Sequence, residues 1–235
     1  MTILDSAVEF EGGNPSRKTV GYLVKPEEMG TYPAIIVIHE IWGLVDHIKD
    51  VSRRIARAGY VTLAVDLFDG ESFNKIEEGR KLLGKFTQEK ILSDIYGAFK
   101  YLRNLDDVDP DHIGSIGFCM GGGLSLLFAC TNPDLAAAAV FYGRNPSPID
   151  QVKNIVCPVL ASYAGEDHAI TESDINLLNQ TMKTFGKTFD YKIYSNSPHG
   201  FFNDTRENYR ADAAKDSWER TLEFFGENLT PGNRI

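Results

Sequence analysis

The chain alternates between short apolar runs and segments whose apolar residues recur every three or four positions. Ala34–His39 is a continuous apolar run, which is typical of a strand buried on both faces. It is followed by Asp46–Ala58, whose spacing of apolar residues predicts an amphipathic helix that Gly59 ends. Further predicted strands are Tyr60–Val65, His112–Phe118, Ala136–Tyr142, Pro158–Tyr163 and Phe189–Tyr194. Further predicted helices are Glu89–Arg103, Met120–Cys130, Glu172–Phe185 and Glu207–Phe225.

This alternation predicts an α/β fold with a mostly parallel sheet and helices on both of its faces. We find no repeat and no long linker, and so expect a single domain over residues 1–235. Residues 68–84 are polar and irregular, and we expect a loop or a cap there. Functional residues of such sheets lie at the carboxyl ends of the strands.

Composition narrows the classes of partner. Hydrophobic residues make up 43% of the 235 residues, which is enough for a substantial core. The net charge of −9 argues against nucleic acid, because phosphate contacts need a basic face. No apolar run reaches the roughly 18–20 residues of a membrane span, and Met1–Glu11 lacks the pattern of a secretory signal. Three cysteines without a CxxC pair indicate free thiols. We expect a cytoplasmic monomer or weak homodimer.

The strongest local signal is the turn Gly117-x-Cys119-x-Gly121 between a predicted strand and a predicted helix. It has the form of the G-x-S-x-G nucleophile elbow, with cysteine in the serine position. Small residues are needed two positions before and after the nucleophile, because neighbouring backbone passes close to them. The N–H group of Met120 would begin the helix and face developing negative charge. A phosphate-binding loop and a buried structural cysteine are the alternatives.

Two later loops supply the partners that a thiol nucleophile needs. Asp167 follows one predicted strand, and His199 lies between Pro198 and Gly200 after the next. The order nucleophile, acid, histidine is that of α/β-hydrolases, in which the histidine acts as base and the acid orients it. The sequence therefore predicts catalytic roles for Cys119, Asp167 and His199.

The other histidines favour ordinary structural positions. His168 is expected at the surface, His47 at a helix start and His112 at a strand start. The run His39-Glu-Ile-Trp-Gly43 nearly matches the zinc motif H-E-x-x-H, but its fifth position is glycine and it follows a strand. No metal site is expected.

Three segments together resemble the dienelactone hydrolase family of α/β-hydrolases, also called carboxymethylenebutenolidases. They are Gly117-Phe-Cys-Met-Gly-Gly122, Gly165-Glu-Asp-His168 and Pro198-His-Gly-Phe-Phe-Asn203. Residues 39–43 also resemble the oxyanion-loop motif of that family. The resemblance runs from about Val20 to the C-terminal helix.

The resemblance implies a role for each matching position. Cys119 would be the nucleophile, His199 the base and Asp167 its orienter. The backbone N–H groups of Ile41 and Met120 would form the oxyanion hole. Glu40 would help to ionise the thiol when substrate arrives, and its alternative is a solvated loop carboxylate.

The residues that would bind substrate are less well defined. Well-known family members hold a substrate carboxylate with two arginines. Arg80 and Arg206 lie in comparable regions, although Arg80 also fits a solvated helix position and Arg206 a pair with Asp204. Arg144 is a third candidate for anion binding. Aromatic residues near the motifs also fit either a pocket or the core, and they are Trp42, Phe73, Phe118, Tyr142 and Phe201.

The sequence thus predicts hydrolysis of a small-molecule ester or lactone through a covalent acyl-enzyme, with no metal or organic cofactor. A promiscuous hydrolase that also accepts uncharged aryl phosphotriesters is an alternative. A third hypothesis is a non-catalytic module in which oxidation of Cys119 is the signal. The intact acid and histidine argue against this third hypothesis.

Overall fold

The apolar runs form strands in the computed structural model, which describes residues 1–13 and 16–230. The strands are β1 (Ile3–Phe10), β2 (Thr19–Pro26), β3 (Tyr32–Ile38), β4 (Val61–Val65), β5 (Val108–Phe118), β6 (Ala137–Phe141), β7 (Val159–Ala164) and β8 (Phe189–Tyr194). The helices are α1 (Asp46–Arg57), α2 (Ile76–Leu83), α3 (Gln88–Arg103), α4 (Met120–Thr131), α5 (Glu172–Thr184) and α6 (Ala211–Asn228), and a short 3₁₀ helix covers Ile149–Asn154. Among the described residues, no helix has the length and apolar character needed to cross a membrane.

The strands form an eight-stranded sheet in the order β1-β2-β4-β3-β5-β6-β7-β8. Strand β2 is antiparallel to both β1 and β4. The pairs β3–β4, β6–β7 and β7–β8 are parallel. The predicted α/β fold with a mostly parallel sheet is therefore confirmed. The chain divides into two compact units, Met1–Gly114 and Ser115–Ile235. One domain over residues 1–235 stays a prediction.

In the first unit, α1 and α3 cover opposite faces of the strands. The Thr62 hydroxyl donates to the Ser52 carbonyl of α1 at 3.3 Å, and Thr62 pairs with Val24 of β2. Thr19 lies five residues before Val24, so its side chain points to the other face. There its hydroxyl donates to the Asp94 carboxylate of α3 at 2.6 Å.

In the second unit, the last residues of β5 contact a different helix on each face. A Cβ added to Gly117 would overlap the carbonyl oxygen of Gly121 in α4. The next side chain, Phe118, faces the opposite way and stacks on Phe202 with ring centroids 5.2 Å apart. Phe202 in turn packs against Trp218 of α6 at 5.9 Å. Helices on both faces are thus present in each unit.

Several elements differ from the sequence prediction. Strands β1 and β2 were not predicted. The residues of β1 are mostly exposed and show no regular alternation of buried and exposed positions. The segment 68–84 was predicted as a loop or cap and contains the helix α2. The last helix begins at Ala211 rather than at Glu207, because the preceding residues form turns that end where the Arg210 N–H donates to the Phe201 carbonyl at 3.0 Å.

Candidate active site

Cys119 occupies a sharp turn between β5 and α4. Its backbone has φ +56° and ψ −114°, a conformation that non-glycine residues rarely adopt and that costs about 1–3 kcal/mol. Its N–H donates to the Phe141 carbonyl of β6 at 3.0 Å, which ties the turn to the neighbouring strand. The predicted strand–turn–helix context of Cys119 is confirmed.

The glycines around Cys119 allow backbone segments to approach closely. Besides the contact of Gly117 with Gly121, a Cβ on Gly122 would lie 2.5 Å from the Phe141 carbonyl oxygen. The N-terminus of α4 is therefore held tightly against the strands. Met120 is its first residue, so its N–H belongs to the group of amides that have no acceptor within the helix. These amides and the helix dipole favour negative charge at this position.

We expect Gly117→Ala to lower the free energy of unfolding by about 2–3 kcal/mol, because the added methyl group would overlap backbone that cannot easily move. Gly226→Ala is the matched control, since Gly226 lies in α6 with open space around its Cα. That change should raise the free energy of unfolding by about 0.5–1 kcal/mol. Urea denaturation measures both. A Gly117→Ala protein as stable as wild type would contradict the close packing of this turn.

His199 and Asp167 form a short, defined hydrogen bond. The Asp167 Oδ1 atom accepts the N–H groups of Ala169 and Ile170 at 2.8 and 3.1 Å, which orients the carboxylate. Its Oδ2 atom lies 2.6 Å from Nδ1 of His199. Because a carboxylate only accepts, Nδ1 donates, and Nε2 is the ring nitrogen that remains for another partner.

The two loops that carry these residues are joined by backbone hydrogen bonds. Gly165 N–H donates to the Tyr194 carbonyl at 2.9 Å, and Glu166 N–H donates to the Ser197 carbonyl at 3.0 Å. The side-chain amide of Asn208 donates to the His199 carbonyl at 2.8 Å. These contacts determine where His199 lies relative to the Asp167 loop.

The charges of the site explain the protonation of His199. Burial lowers its pKa, but hydrogen bonds with Asp167 and Cys119 and the negative charge of both groups outweigh burial and raise the pKa to about 10. Burial raises the pKa of the Asp167 carboxyl. The hydrogen bond from His199 and the positive charge of its ring outweigh burial, so the pKa of Asp167 is lowered. The raised pKa favours the protonated form of His199, whose ring lies between the Asp167 carboxylate and the Cys119 side chain.

Glu40 and Ile41 lie in a tight turn of the first unit, directly after β3. The Glu40 side chain is 2% exposed, so its interpretation as a solvated loop carboxylate is wrong. The Glu40 carbonyl accepts the Gly43 N–H at 3.2 Å and also contacts Nδ1 of His39 at 2.6 Å. Gly43 has φ +89°, and a Cβ there would lie 2.5 Å from the Glu71 carbonyl oxygen.

The segment that contains α2 packs on this turn. The Phe73 N–H donates to the Trp42 carbonyl at 3.0 Å. On α2 itself, a Cβ at Gly79 would overlap the carbonyl oxygen of Ile41. Trp42 and Phe73 are half-buried, and they stay candidates for contact with substrate.

Two of the predicted pocket aromatics are core residues instead. Phe118 and Phe201 have no exposed surface. Phe118 packs on Phe141 at 4.8 Å, and Phe201 packs on Tyr194 at 5.1 Å. Side chains enclosed in this way offer no surface to a substrate. Tyr142 is also buried, but its ring lies 5.0 Å from that of His199, so it borders the histidine that the sequence indicated.

The three candidate arginines differ in environment. Arg80 is exposed on α2, as its alternative interpretation predicted. Arg144 is exposed after β6. Hydrogen bonds from Thr171 lower the pKa of Asp174, and the charge of Arg144 adds a smaller effect in the same direction. Arg206 is half-buried, and its backbone N–H donates to the Asn203 carbonyl at 3.2 Å. No observation assigns a substrate carboxylate to any of them.

The remaining histidines lie where the sequence predicted or close to it. His168 is exposed, His47 is in the first turn of α1, and His112 is inside β5, 2.8 Å from the Asp109 carboxylate. In the part of the chain that the structure describes, no group of three His, Cys, Asp or Glu residues has the arrangement of a metal site.

Sequence reasoning gave no separate role to two residues whose side chains contact backbone carbonyls in these segments, Asn208 and His39. Asn208 was missed because a single polar residue in a loop carries no periodic or motif signal. His39 was considered as part of a rejected zinc motif and of the segment that resembles the oxyanion loop of the family. The near match of the zinc motif and the family resemblance both drew attention to residues 39–43.

Comparisons with known proteins agree with the fold and the motifs. A model of the dienelactone hydrolase family matches residues 19–229. Two similar proteins carry the name "Putative carboxymethylenebutenolidase". The one from Saccharolobus solfataricus is 36% identical, with 88% of this chain and 93% of the relative covered. The one from Synechocystis is 34% identical, with 92% and 94% covered.

Solved structures show the same architecture. A "Putative Dienelactone Hydrolase" from Klebsiella pneumoniae superposes with a TM-score of 0.87 at 28% identity, covering 95% of this chain and 99% of the other. A metagenomic protein described as a dienelactone hydrolase-like promiscuous phosphotriesterase also superposes at 0.87, with 97% and 99% covered, and its 22% identity supports the fold alone. The family match over most of the chain and the relatives above 30% identity lead to one conclusion: this chain belongs to the dienelactone hydrolase family of α/β-hydrolases.

Proposed function

We propose that this protein hydrolyses carboxylic esters or lactones through a covalent acyl-enzyme on Cys119. The observation that carries the proposal is the hydrogen-bonded series from Asp167 to His199 to Cys119. Cys119 directly follows β5, and the other two residues lie in the two loops described above. Nucleophile, base and orienting acid in hydrogen-bond contact are what covalent catalysis requires. The strained backbone of Cys119 supports the same role, since such conformations cluster at functional sites.

The chemical steps follow from these contacts. The Cys119 thiolate attacks the carbonyl carbon, a C–S bond forms, and the carbonyl electron pair moves to oxygen. The tetrahedral adduct collapses, the C–O bond to the leaving group breaks, and the departing alkoxide takes the Nε2 proton of His199. Neutral His199 then removes a proton from water, which attacks the thioester and releases the acid. Asp167 holds the ring orientation and stabilises the imidazolium in each step.

The remaining roles come from the family resemblance. The N–H groups of Ile41 and Met120 would donate to the developing oxyanion, each contributing a factor of about 10²–10³ to the rate. The position of Met120 at the start of α4 supports its assignment. Glu40 would assist ionisation of the thiol. Each step uses groups of the chain and water, so the proposal includes no metal or organic cofactor.

Trapping the acyl-enzyme tests this proposal. We expect protein quenched during turnover of p-nitrophenyl butyrate to gain the mass of one butyryl group, located on the peptide that contains Cys119. Cys130 and Cys157 are internal controls, because burial raises the pKa of each thiol to about 12 and keeps it unreactive at neutral pH. A butyryl group found on another residue would overturn the proposal. Single-turnover kinetics that exclude an acyl intermediate would also overturn the proposal.

A second candidate activity is hydrolysis of uncharged aryl phosphotriesters. The observation that favours it is the shared fold with the promiscuous phosphotriesterase described above. An activated thiolate would attack phosphorus in line with the aryl oxygen, so that a P–S bond forms and the P–O bond to nitrophenolate breaks, and water would then cleave the P–S bond. Release of nitrophenolate from paraoxon above the uncatalysed rate, abolished by Cys119→Ala, would support this activity. Absence of release would remove it without affecting the ester proposal.

A further inference from the structure

Strand β8 forms one edge of the sheet, and among the described residues it pairs with β7 alone. The Thr188 carbonyl accepts the Val159 N–H at 3.0 Å, and the Tyr194 carbonyl accepts the Gly165 N–H at 2.9 Å. The even-numbered residues of this segment thus direct their backbone groups at β7. Because these groups alternate along a strand, those of the odd-numbered residues point away from β7, toward the open edge. The odd-numbered residues are Phe189, Tyr191 and Ile193.

The odd-numbered residues also share one face of the sheet, the face that α5 covers. The rings of Phe189 and Tyr191 stack with centroids 5.4 Å apart. The side-chain amide of Asn179 in α5 lies 3.5 Å from the Tyr191 hydroxyl. Ile193 follows two positions later, so its side chain points the same way. All three side chains of β8 on this face are half-buried.

Two opposite charges lie on the other face of β8, one on each side of Tyr191. Asp190 is 73% exposed, and its Oδ2 atom lies 2.6 Å from the Arg220 guanidinium of α6. Lys192 is 46% exposed, and its Nζ atom lies 2.8 Å from the Asp216 carboxylate of α6. A carboxylate accepts several hydrogen bonds and an ammonium group donates three, so both groups can also bind a charge on another molecule.

This order of residues makes the edge complementary to itself in one antiparallel register. With a two-fold axis at Tyr191, each outward-pointing residue of one strand lies opposite an outward-pointing residue of the other, and all of their backbone groups can bond. Asp190 then lies opposite Lys192 of the partner subunit. If the axis moves by one residue, two Asp190 or two Lys192 side chains lie opposite each other. That shift also leaves one outward-pointing residue of each β8 strand without an opposite residue.

We propose that β8 binds a second copy of this chain, antiparallel about a two-fold axis at Tyr191. Asp190 of each copy pairs with Lys192 of the other, and Phe189 packs against Ile193 of the other. Such cross-strand pairs are the side-chain contacts that stabilise antiparallel strands. A lone lysine on an edge strand discourages pairing, but here Asp190 supplies its counterpart on the second copy. Complementarity of β8 to itself favours a second copy over a different protein, because a two-fold axis forms each contact twice.

Sedimentation velocity of the wild-type protein gives the first test. We expect a reversible dimer with a dissociation constant of about 1–100 μM, because an edge-strand contact is small compared with the interface of a permanent dimer. Hydrolytic activity has no part in this measurement, so its outcome is independent of the proposed function.

Two charge variants test the register. Lys192→Glu gives β8 two negative charges and Asp190→Lys gives it two positive charges, so in each homodimer like charges lie opposite each other. We expect either change to raise the dissociation constant by about tenfold or more. Lys81→Glu is the matched control, because it changes the net charge equally at an exposed position of α2, outside β8, and should leave the dimer intact.

An equimolar mixture of the two charge variants separates contact between chains from damage within one chain. A negative strand then meets a positive strand, and we expect a heterodimer whose dissociation constant is within about threefold of wild type. The original contacts with Arg220 and Asp216 stay broken in the mixture. Recovery of the dimer therefore reports pairing across the axis, and urea denaturation confirms that both variants are folded.

Hydrogen exchange followed by NMR gives a readout within the strand. Exchange of the Phe189, Tyr191 and Ile193 amides should slow by about tenfold or more from dilute to concentrated wild-type protein, because these N–H groups become bonded across the axis. The amides of Asp190 and Lys192 should be protected at both concentrations, because they point to β7. This alternation is specific to strand pairing, since contact through side chains alone leaves the outward amides open to water.

Several outcomes would overturn the proposal. Wild-type protein that stays monomeric up to about 500 μM has no such contact. A dimer that both charge variants leave intact would use another surface, such as the opposite edge at β1. A mixture that stays monomeric would contradict the pairing of Asp190 with Lys192. If either variant fails to fold, the exchange pattern of the wild type decides, and uniform protection or none along β8 refutes the proposed pairing.

Discussion

Replacing Cys119 by alanine should reduce hydrolysis of p-nitrophenyl butyrate by about 10³-fold or more at neutral pH. The variant has no group that can form the acyl bond, and members of such a nucleophile–base–acid unit act together rather than additively. The fold should survive, because Cys119 is only partly buried and alanine leaves a small space. The measurement is the initial rate of nitrophenolate release by the two proteins side by side. A lactone substrate is assayed in parallel to cover narrow specificity.

Cys130→Ala is the matched control for this prediction. Cys130 lies in α4, the same helix that Cys119 precedes, and is buried and unreactive. We expect its removal to leave kcat within about twofold of wild type, because the side chain has no contact with the reacting groups. Equal activity of Cys119→Ala and wild type would mean that another residue is the nucleophile. Inactivity of the wild type on both esters and lactones would favour the non-catalytic thiol-sensing hypothesis.

Asp167→Asn should lower kcat by about 10²- to 10⁴-fold with little change of shape. The amide no longer requires Nδ1 of His199 to carry a proton, so the ring is free to present the wrong tautomer to Cys119. It also removes the charge that stabilises the imidazolium. Glu166→Gln is the matched control, since Glu166 is the exposed neighbouring carboxylate and should leave kcat unchanged. An Asp167→Asn protein with wild-type kcat would refute the orienting role.

The same variant has a second readout in the pH dependence of stability. The pKa of His199 is raised to about 10 in the folded protein, above its unfolded value of about 6.5. A raised pKa contributes stability that is fully present below pH 6.5 and is lost as the pH rises through about 10. The difference in free energy of unfolding between wild type and Asp167→Asn should therefore shrink from pH 6 to pH 10. Urea denaturation at pH 6, 8 and 10 measures it, and a constant difference would contradict the raised pKa.

The sequence prediction and the structure agree best for features that are determined by residues close together in the chain. The turn at Cys119 was predicted from two glycines, and a Cβ at the first of them, Gly117, would overlap the backbone of the second, Gly121. The strand Phe189–Tyr194 was predicted with the bounds that the structure has, because its pattern of residues is typical of a strand and turn-forming residues flank it. The helix Met120–Thr131 was likewise predicted to within one residue.

The sequence prediction and the structure disagree where packing between several distant segments determines the position of a residue or element. Strands β1 and β2 pair with each other at an edge of the sheet, and β1 is mostly exposed, so its residues need no apolar period. The aromatic residues near the motifs divided into core and site only after packing was known. Phe118 and Phe201 are enclosed by other rings, whereas Trp42 and Phe73 keep exposed surface.

The amino-acid sequence alone determined the fold class, the turn that presents Cys119, and the order in which Asp167 and His199 follow it. These features depend on the periodicity of burial and on small residues at short spacing, and both are properties of contiguous segments. The contacts of His199 with Asp167 and Cys119, the support of its carbonyl by Asn208 and the link from His39 to Leu67 were decided only by the tertiary structure. Hydrogen bonds and pKa shifts depend on distances of a few ångströms between groups far apart in the chain, and no local pattern encodes those distances.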